Sequence, residues 1–477
     1  MKKLTHLFFS AASVFIVSAC TVGPDYQKPQ QTWAASENVV APVFSDAGHN
    51  RALHTNAWWL LLDDAQLDQW IETALQNNQD IQQATARLGA AMAGVDESYW
   101  QRLPTLSPEA GYSRSRMQQP GADGQITRPQ STASRTGASV QWEVDLFGRL
   151  RRLHEAAVAR SEAADADLSQ VRMSIVAAVA TSWFEYRGLQ QQIEWALAEQ
   201  KSWRDTLALV QSGVSLGREL PENLENVQAQ LHRSDAALPA LRAAQQAARY
   251  RLDVLTGVQP GQREIDGDIS LTPLLLRELP VGDVRERVLA RPDVVQAERL
   301  LAASTADIGA SKAALYPNLS INGFVGFFAL RGSSALDAAA RAYEWNSLLQ
   351  WDGLNPGNAR AQLRASEARL LGASAHYQQA VLLAFEEVEN ALTVLREEQQ
   401  QLFSLTQAAS HAERALALAT RRYEAGGGSY LAVLENQRAL FAVRQQVASA
   451  ETGSYLNVVD LYKSLGWSIE GGALALN

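Results

Sequence analysis

The chain has 477 residues, a formal net charge of −9, 47% hydrophobic and 19% charged residues. An acidic balance argues against nucleic acid as a partner, which calls for clustered basic surface. One cysteine, Cys20, excludes a disulfide framework and a thiolate metal site.

Met1-Lys2-Lys3, an apolar run from Leu7 to Val17, and Val17-Ser18-Ala19-Cys20 read as a secretory signal peptide. The apolar run is too short to span a bilayer, which takes ~20 residues. The small residues before Cys20 resemble a bacterial lipobox, so residues 1–19 are expected to be cleaved and Cys20 to carry covalent lipid, the only attached group expected. Several acyl chains on one cysteine hold firmly where one does not. An Asp just after such a cysteine commonly retains bacterial lipoproteins in the inner membrane; its absence at Val22 favours the outer membrane. Residues 20–57 then form an extended segment, and no later apolar run is long enough for a spanning helix.

The rest repeats itself once. Tyr99 to Leu106 answers to Lys312 to Leu319, Gln141 to Gly148 to Gln350–Gly353 with Pro356-Gly357, and Leu252 to Gly257 to Leu461 to Gly466. The halves are set at 58–279 and 280–470, joined by a Pro/Gly-rich connector, with a tail at 471–477. This is a duplication rather than a solenoid, whose repeats run about 20–50 residues.

In the first half, Val140, Trp142, Val144 and Leu146 alternate with Gln141, Glu143 and Asp145, the period of a two-faced strand. Strands are expected over Leu106–Met117 and Ser134–Phe147 (within about 104–147), flanking a loop at 118–131. The second half offers Asn318–Leu330 and Tyr343–Trp351 (within 318–352). One hairpin per half gives four strands, too few to close a barrel, and open edges are not tolerated in lipid. Strands in a membrane would therefore have to be shared among several chains.

Ile175, Ser182, Leu189, Ala196, Trp203 and Val210 fall seven apart, as do Val388, Leu395, Leu402, Ala409 and Leu416. That period makes helices supercoil left-handedly. Arg149 to Gln211 as one helix would run ~95 Å, and Arg360 to Ala425 is similar; long helices are expected over about 149–256 and 358–467. Two glycine-bearing turns, Gly213 to Asn223 and Gly426 to Tyr430, join the helices, glycine allowing the left-handed residue that ends a helix and Pro221 suiting the first turn of the next.

With these features the sequence resembles the outer-membrane factor (TolC-like) channel family in its lipoprotein branch. The resemblance rests on Gly23-Pro24-Asp25-Tyr26 with Pro29 after Cys20, and on Trp58-Trp59 with Leu67 and Ile71. It continues in Trp142-Glu143-Val144-Asp145-Leu146-Phe147-Gly148-Arg149, in Arg422 to Gly426 and in Ser429 to Arg438. It implies a mainly α-helical chain with a β-barrel part: antiparallel coiled-coil helices in two repeats, and two hairpins contributing to a shared twelve-stranded barrel of a homotrimer in outer-membrane lipid, reaching into the periplasm. It implies passive conduction of drugs or other toxic small molecules, delivered by a periplasmic adaptor and an inner-membrane pump. The turns would be the adaptor-docking tips (Gly213, Gly217, Arg218, Glu219, Gly426, Gly427, Gly428, Ser429, Tyr430). Glu222, Asn223, Glu225 and Glu435 would ring the constriction, with Tyr423 hydrogen-bonding across it; focused negative charge in a narrow mouth favours cations. The sequence departs from the family at Ala432 and Asn223, where Asp is frequent, at Asn358-Ala359, and at Pro221 in the first tip.

No catalytic constellation competes. The seven histidines are scattered, no Gly-x-Ser-x-Gly elbow occurs, and Gly426-Gly427-Gly428 lacks the lysine of a phosphate loop. Trp58 and Trp59 are expected in the core, and no cofactor, metal or nucleic acid is expected. Two other readings remain open: a non-conducting periplasmic scaffold lipoprotein, and the outer-membrane duct of a type I protein secretion system. The amphipathic hairpins favour a conduit over a scaffold.

Overall fold

A computed structural model describes residues 21–29, 57–120, 125–263, 265, 283–330, 337–351, 353 and 355–466. The signal peptide, Cys20 and the tail at 471–477 lie outside the described residues. Helices dominate: α1 (Ala65–Asn77), α2 (Gln79–Trp100), α3 (Arg149–Ser215), α4 (Pro221–Leu255), α5 (Val284–Ala290), α6 (Pro292–Ala313), α7 (Gly357–Glu424) and α8 (Tyr430–Ser464). Strands are β1 (Thr105–Arg116), β2 (Gln119–Pro120), β3 (Ile126–Thr127), β4 (Gln130–Val144), β5 (Asn318–Ala329) and β6 (Arg341–Gln350). No described helix is long and apolar enough to cross a membrane.

Contacts divide the chain into two compact units, residues 1–30, 87–165 and 296–378, and residues 31–86, 166–295 and 379–477. Each draws on both sequence halves, so the duplicated halves do not fold as separate bodies.

In the first unit the four long strands form one antiparallel sheet in the order β1-β4-β5-β6. Two expectations need correction. The segment at 118–131 is not simply a loop: β2 and β3 pair through Gln119↔Thr127 and Pro120↔Ile126, and β4 starts at Gln130. The alternation also stops at Val144 rather than Phe147, because the Asp145 carboxylate accepts from the backbone N–H of Leu150 and Arg151 and caps α3 instead of continuing the ladder. Pro108 sits in β1, an edge strand, where a missing donor is tolerated.

A strap of N-terminal residues docks on the helices of the same unit. Val22 N donates to Phe147 O at 3.2 Å. Gly23 (φ +107°) presses against Gly309, where a Cβ on Gly23 would lie 2.4 Å from the Gly309 Cα. Arg152, its side chain 6% exposed, donates to the Asp25 carboxylate at 2.7 Å and to Glu155 at 2.8 Å. Tyr26 packs on Ala159, Ala302 and Ala303 and donates its hydroxyl to buried Glu298. We expect Arg152→Ala to leave the chain folded but to free the strap, read as faster proteolytic cleavage between residues 21 and 29. Unchanged cleavage would mean that the ion pair does not hold it.

In the second unit the seven-residue repeat is the core seam. Ile175, Ser182, Ala196, Trp203 and Val210 are buried, as are Val388, Leu395 and Leu402. Trp58 and Trp59 are core residues as expected, Trp58 stacking on Tyr462 at 5.2 Å. Asp64 caps α1 by accepting from Gln66 N and Leu67 N, and its other oxygen takes the Trp183 indole N–H at 2.7 Å. Leu67, Trp70, Ile71 and Ala74, spaced three, one and three apart, are the buried stripe of α1. Gly188 is required by a close helix approach: a Cβ there would lie 2.1 Å from the Thr452 hydroxyl.

Candidate functional site

Two features of the fold are candidates for function. The first is the pair of helix turns in the second unit. Helix α3 ends with Gly217 at φ +68°; Gly217 N donates to Val214 O at 3.0 Å and Arg218 N to Gly213 O at 2.8 Å. Helix α7 ends the same way, with Gly426 at φ +76°, Gly426 N to Tyr423 O at 2.8 Å and Gly427 N to Arg422 O at 3.0 Å. These bonds make a Schellman motif, satisfying carbonyls that a helix end leaves unpaired. The duplicated sequence thus yields duplicated turns. Pro221 stands in the first turn of α4 as expected, and the Ser429 side chain caps α8 through Ala432 N.

One apolar cluster unites the turns. Buried Trp203 and Val210 of α3, Val227 of α4, and Tyr430, Val433 and Leu434 of α8 meet there, with Leu416, Ala419 and Tyr423 of α7 against them. Polar links cross it: Tyr423 donates its hydroxyl to Glu219 Oε1 at 3.4 Å, Asn223 Nδ2 donates to Glu219 Oε2 at 2.9 Å, and Thr206 of α3 donates to Gln437 Oε1 of α8 at 3.5 Å. Burial first, then the charge of Glu219 and the hydrogen bond to it, raise the Tyr423 phenol above its ordinary value.

The sequence-derived residues separate into two groups. Glu219, Asn223 and Tyr423 come together. Glu222, Glu225 and Glu435 are exposed, and among the described residues none of these three is bonded to another side chain. Gly217, Arg218, Gly426, Gly427 and Ser429 are exposed at the turns, while Gly213 and Gly428 are half-buried. Tyr430, grouped with the docking tips by sequence, is 7% exposed and packs inside the apolar cluster. The turn at Gly213–Asn223 is narrower than expected, because α3 runs on to Ser215 and α4 begins at Pro221.

The second feature is the sheet of the first unit. The register places Leu106, Pro108, Ala110 and Tyr112 on one face with Val144, Trp142, Val140 and Ala138. Leu319, Ile321, Val325 and Phe327 follow on that face, then Leu349, Trp345 and Tyr343. This face is mainly apolar, interrupted by Ser134, Thr136 and Ser347, and largely uncovered: Leu106 is 68%, Val325 64%, Tyr343 88% and Trp345 68% exposed. The opposite face carries Ser107, Glu109, Ser139, Gln141, Asn318, Ser320, Asn322, Glu344 and Asn346. Its centre is a transverse belt with one residue from each strand. Arg135 lies 3.0 Å from Glu109, 3.4 Å from Glu344 and 3.8 Å above the Phe324 ring. Sequence reasoning missed this belt, since its members meet only once the register is known. Trp142 and Trp351, equivalent in the two halves, donate their indole N–H to Arg102 O and Leu315 O at 3.1 and 3.0 Å, at the helix end of the sheet.

No group of three or more His, Cys, Asp or Glu able to hold a metal occurs among the described residues.

Comparison with known proteins fits these two features. A family model described as "Outer membrane efflux protein" matches the chain twice, over residues 70–258 and 285–467. Outer membrane protein OprJ of Pseudomonas aeruginosa is 29% identical over 466 residues, covering 97% of this chain and 96% of its own. Cation efflux system protein CusC of Escherichia coli O157:H7 is 28% identical over 460 residues, covering 94% and 96%. The solved outer-membrane channel OprN superposes with a TM-score of 0.88 at 35% identity, covering 94% of this chain and all of that one (100%).

Proposed function

We propose, from the premise that this chain belongs to the outer membrane efflux protein family, that it is the outer-membrane channel of a tripartite efflux system. The family is one of outer-membrane channels, not enzymes. On this reading the chain passively conducts drugs or other toxic small molecules from a periplasmic adaptor and an inner-membrane pump to the exterior. The observation that carries it is the two-faced sheet with open edges. Lipid tolerates only backbone whose polar groups are paired, and β1 and β6 each leave one side of their ladder unpaired. Three copies joined edge to edge close those ladders into one twelve-stranded barrel, apolar outside and polar inside, the pattern of a water-filled membrane barrel.

Lipid on Cys20 adds a second hold on the membrane. The strap supports this, because Thr21 lies at the strand-to-helix junction, where a Cβ on Gly148 would touch its side chain at 2.5 Å. The paired turns serve as gate and adaptor dock. Threefold copies of exposed Glu222, Glu225 and Glu435 focus negative charge there and favour cations. Opening rotates the helix pairs outward as rigid elements. Cargo is chosen upstream: CusC is named for cation efflux, and the pump rather than the duct sets the substrate.

The test is planar-bilayer recording of the protein extracted from outer membranes, with its oligomeric state in detergent. We expect heat-stable trimers of the mature, lipidated chain and cation-selective conductance. Glu435→Gln should lower the cation-to-anion permeability ratio; an unchanged ratio removes Glu435 from the mouth. A photo-crosslinker at exposed Ser429 should capture an adaptor in cells. Monomers without conductance would return the chain to the scaffold reading, and capture of a protein-secretion adaptor would assign it to type I secretion.

A further inference from the structure

We infer that the loop end of the first hairpin is a binding surface for the phosphate groups of outer-leaflet lipid, built from Arg114, Arg116 and Arg128. The inference rests on the membrane placement of the sheet proposed above. Arg114 and Arg116 continue the row of Leu106, Pro108, Ala110 and Tyr112, so they lie on the apolar face and not on the polar face that holds Arg135. Arg116 faces Gln130 in the register and donates Nε–H to Arg128 O at 3.4 Å, which brings the third arginine alongside. All three are exposed, and none forms an ion pair among the described residues. Between Tyr112 and Ser134 the only acid is Asp123, outside the described residues, in a chain of net charge −9.

Position gives the cluster its meaning. From Leu106 to Arg114 the strand climbs about 27 Å at 3.4 Å per residue, roughly 20 Å along the membrane normal for a strand tilted ~40°. The apolar band of a membrane barrel is ~25 Å tall, and a cation on the lipid face is expensive at its middle but nearly free at its rim. Arg114 therefore stands at the far rim. The near rim is the helix end, where β1 follows α2 and β4 leads into α3. With helices on the periplasmic side, the far rim meets the outer leaflet. Guanidinium forks suit phosphate bidentately. The matching rim of the second hairpin holds Arg341 alone on this face among the described residues, so the first hairpin makes the cluster.

The test uses the full-length protein, wild type and R114Q/R116Q/R128Q, reconstituted in phosphatidylcholine nanodiscs with and without diphosphoryl lipid A. Protein-bound lipid A is counted by native mass spectrometry, and insertion is checked separately by conductance. Wild type should retain lipid A, millimolar inorganic phosphate should not displace it, and the variant should insert normally but retain at least about tenfold less. Equal retention by an inserted variant, or displacement by free phosphate, overturns the lipid surface and leaves the channel reading standing. A wild-type protein that does not insert overturns both.

Discussion

Gly326→Val is expected to abolish assembly, with no heat-stable oligomer and no efflux, while Gly111→Val on the same face is expected to behave as wild type. Gly326 and Gly137 are register partners at the centre of the sheet. A Cβ at Gly326 would lie 2.3 Å from Thr136 O and 2.5 Å from Gly137 Cα. Those obstacles are backbone, so no side chain can swing aside, and β4 must move off β5. The Phe324 ring, 3.0 Å from the same point, takes the place of the missing side chains, and the Arg135 guanidinium lies over that ring at 3.8 Å. Forcing a branched side chain in thus breaks the ladder, the aromatic cover and the Glu109–Arg135–Glu344 belt together. Overpacking of a tight site costs about 1–3 kcal/mol and occasionally more; with backbone as the obstacle we expect the upper end or beyond. Gly111 has nothing within 4 Å of its Cβ position, which makes it a control for adding a β-branched residue to the same face. Assembly of Gly326→Val at the wild-type level would show that β4 and β5 do not pair in this register.

The contrast between the two glycines marks what sequence can and cannot carry. Period-two alternation at Val140, Trp142 and Val144 and the seven-residue spacing from Ile175 to Val210 are local signals, and both became faces of the expected kind. The helix ends were legible because Gly217, Gly426 and Pro221 have conformations that few other residues share. The missed features depend on which strand lies beside which. Nothing in the spacing of Glu109, Arg135, Phe324 and Glu344 announces a belt, and the β4–β5 register that creates it joins residues nearly two hundred positions apart. Likewise the close approach of Gly23 to Gly309 joins residues far apart in the chain, and no local spacing announces it. Tyr430 belongs by resemblance to a docking tip, and only the packing of α8 shows that its ring turns into the cluster with Trp203.

That cluster predicts the second large effect, Trp203→Ala. Trp203 is 1% exposed, lies near Phe441 at 6.4 Å between ring centres, and shares its cluster with side chains from all four long helices. Truncating a buried tryptophan to alanine costs about 3–5 kcal/mol, because the surroundings relax only partly into the cavity. The loss falls on the turns, whose mutual position depends on this cluster and on the Tyr423–Glu219 bond, itself long at 3.4 Å. On the proposed channel reading, we therefore expect Trp203→Ala to give protein that still assembles like wild type but is cleaved faster at the glycine turns. It should conduct without adaptor and sensitise cells to large antibiotics that the intact outer membrane excludes. Trp203→Phe separates volume from hydrogen bonding: it keeps most of the apolar contact and loses the indole N–H bond to the Glu199 carboxylate at 3.2 Å, a bond to a charged group worth about 1.5–3 kcal/mol at most. It should leave the channel closed. If both variants leak equally, the indole hydrogen bond rather than the apolar cluster holds the turns. If neither leaks while Trp203→Ala still lowers thermal stability, the cluster is core packing alone and the seal lies elsewhere.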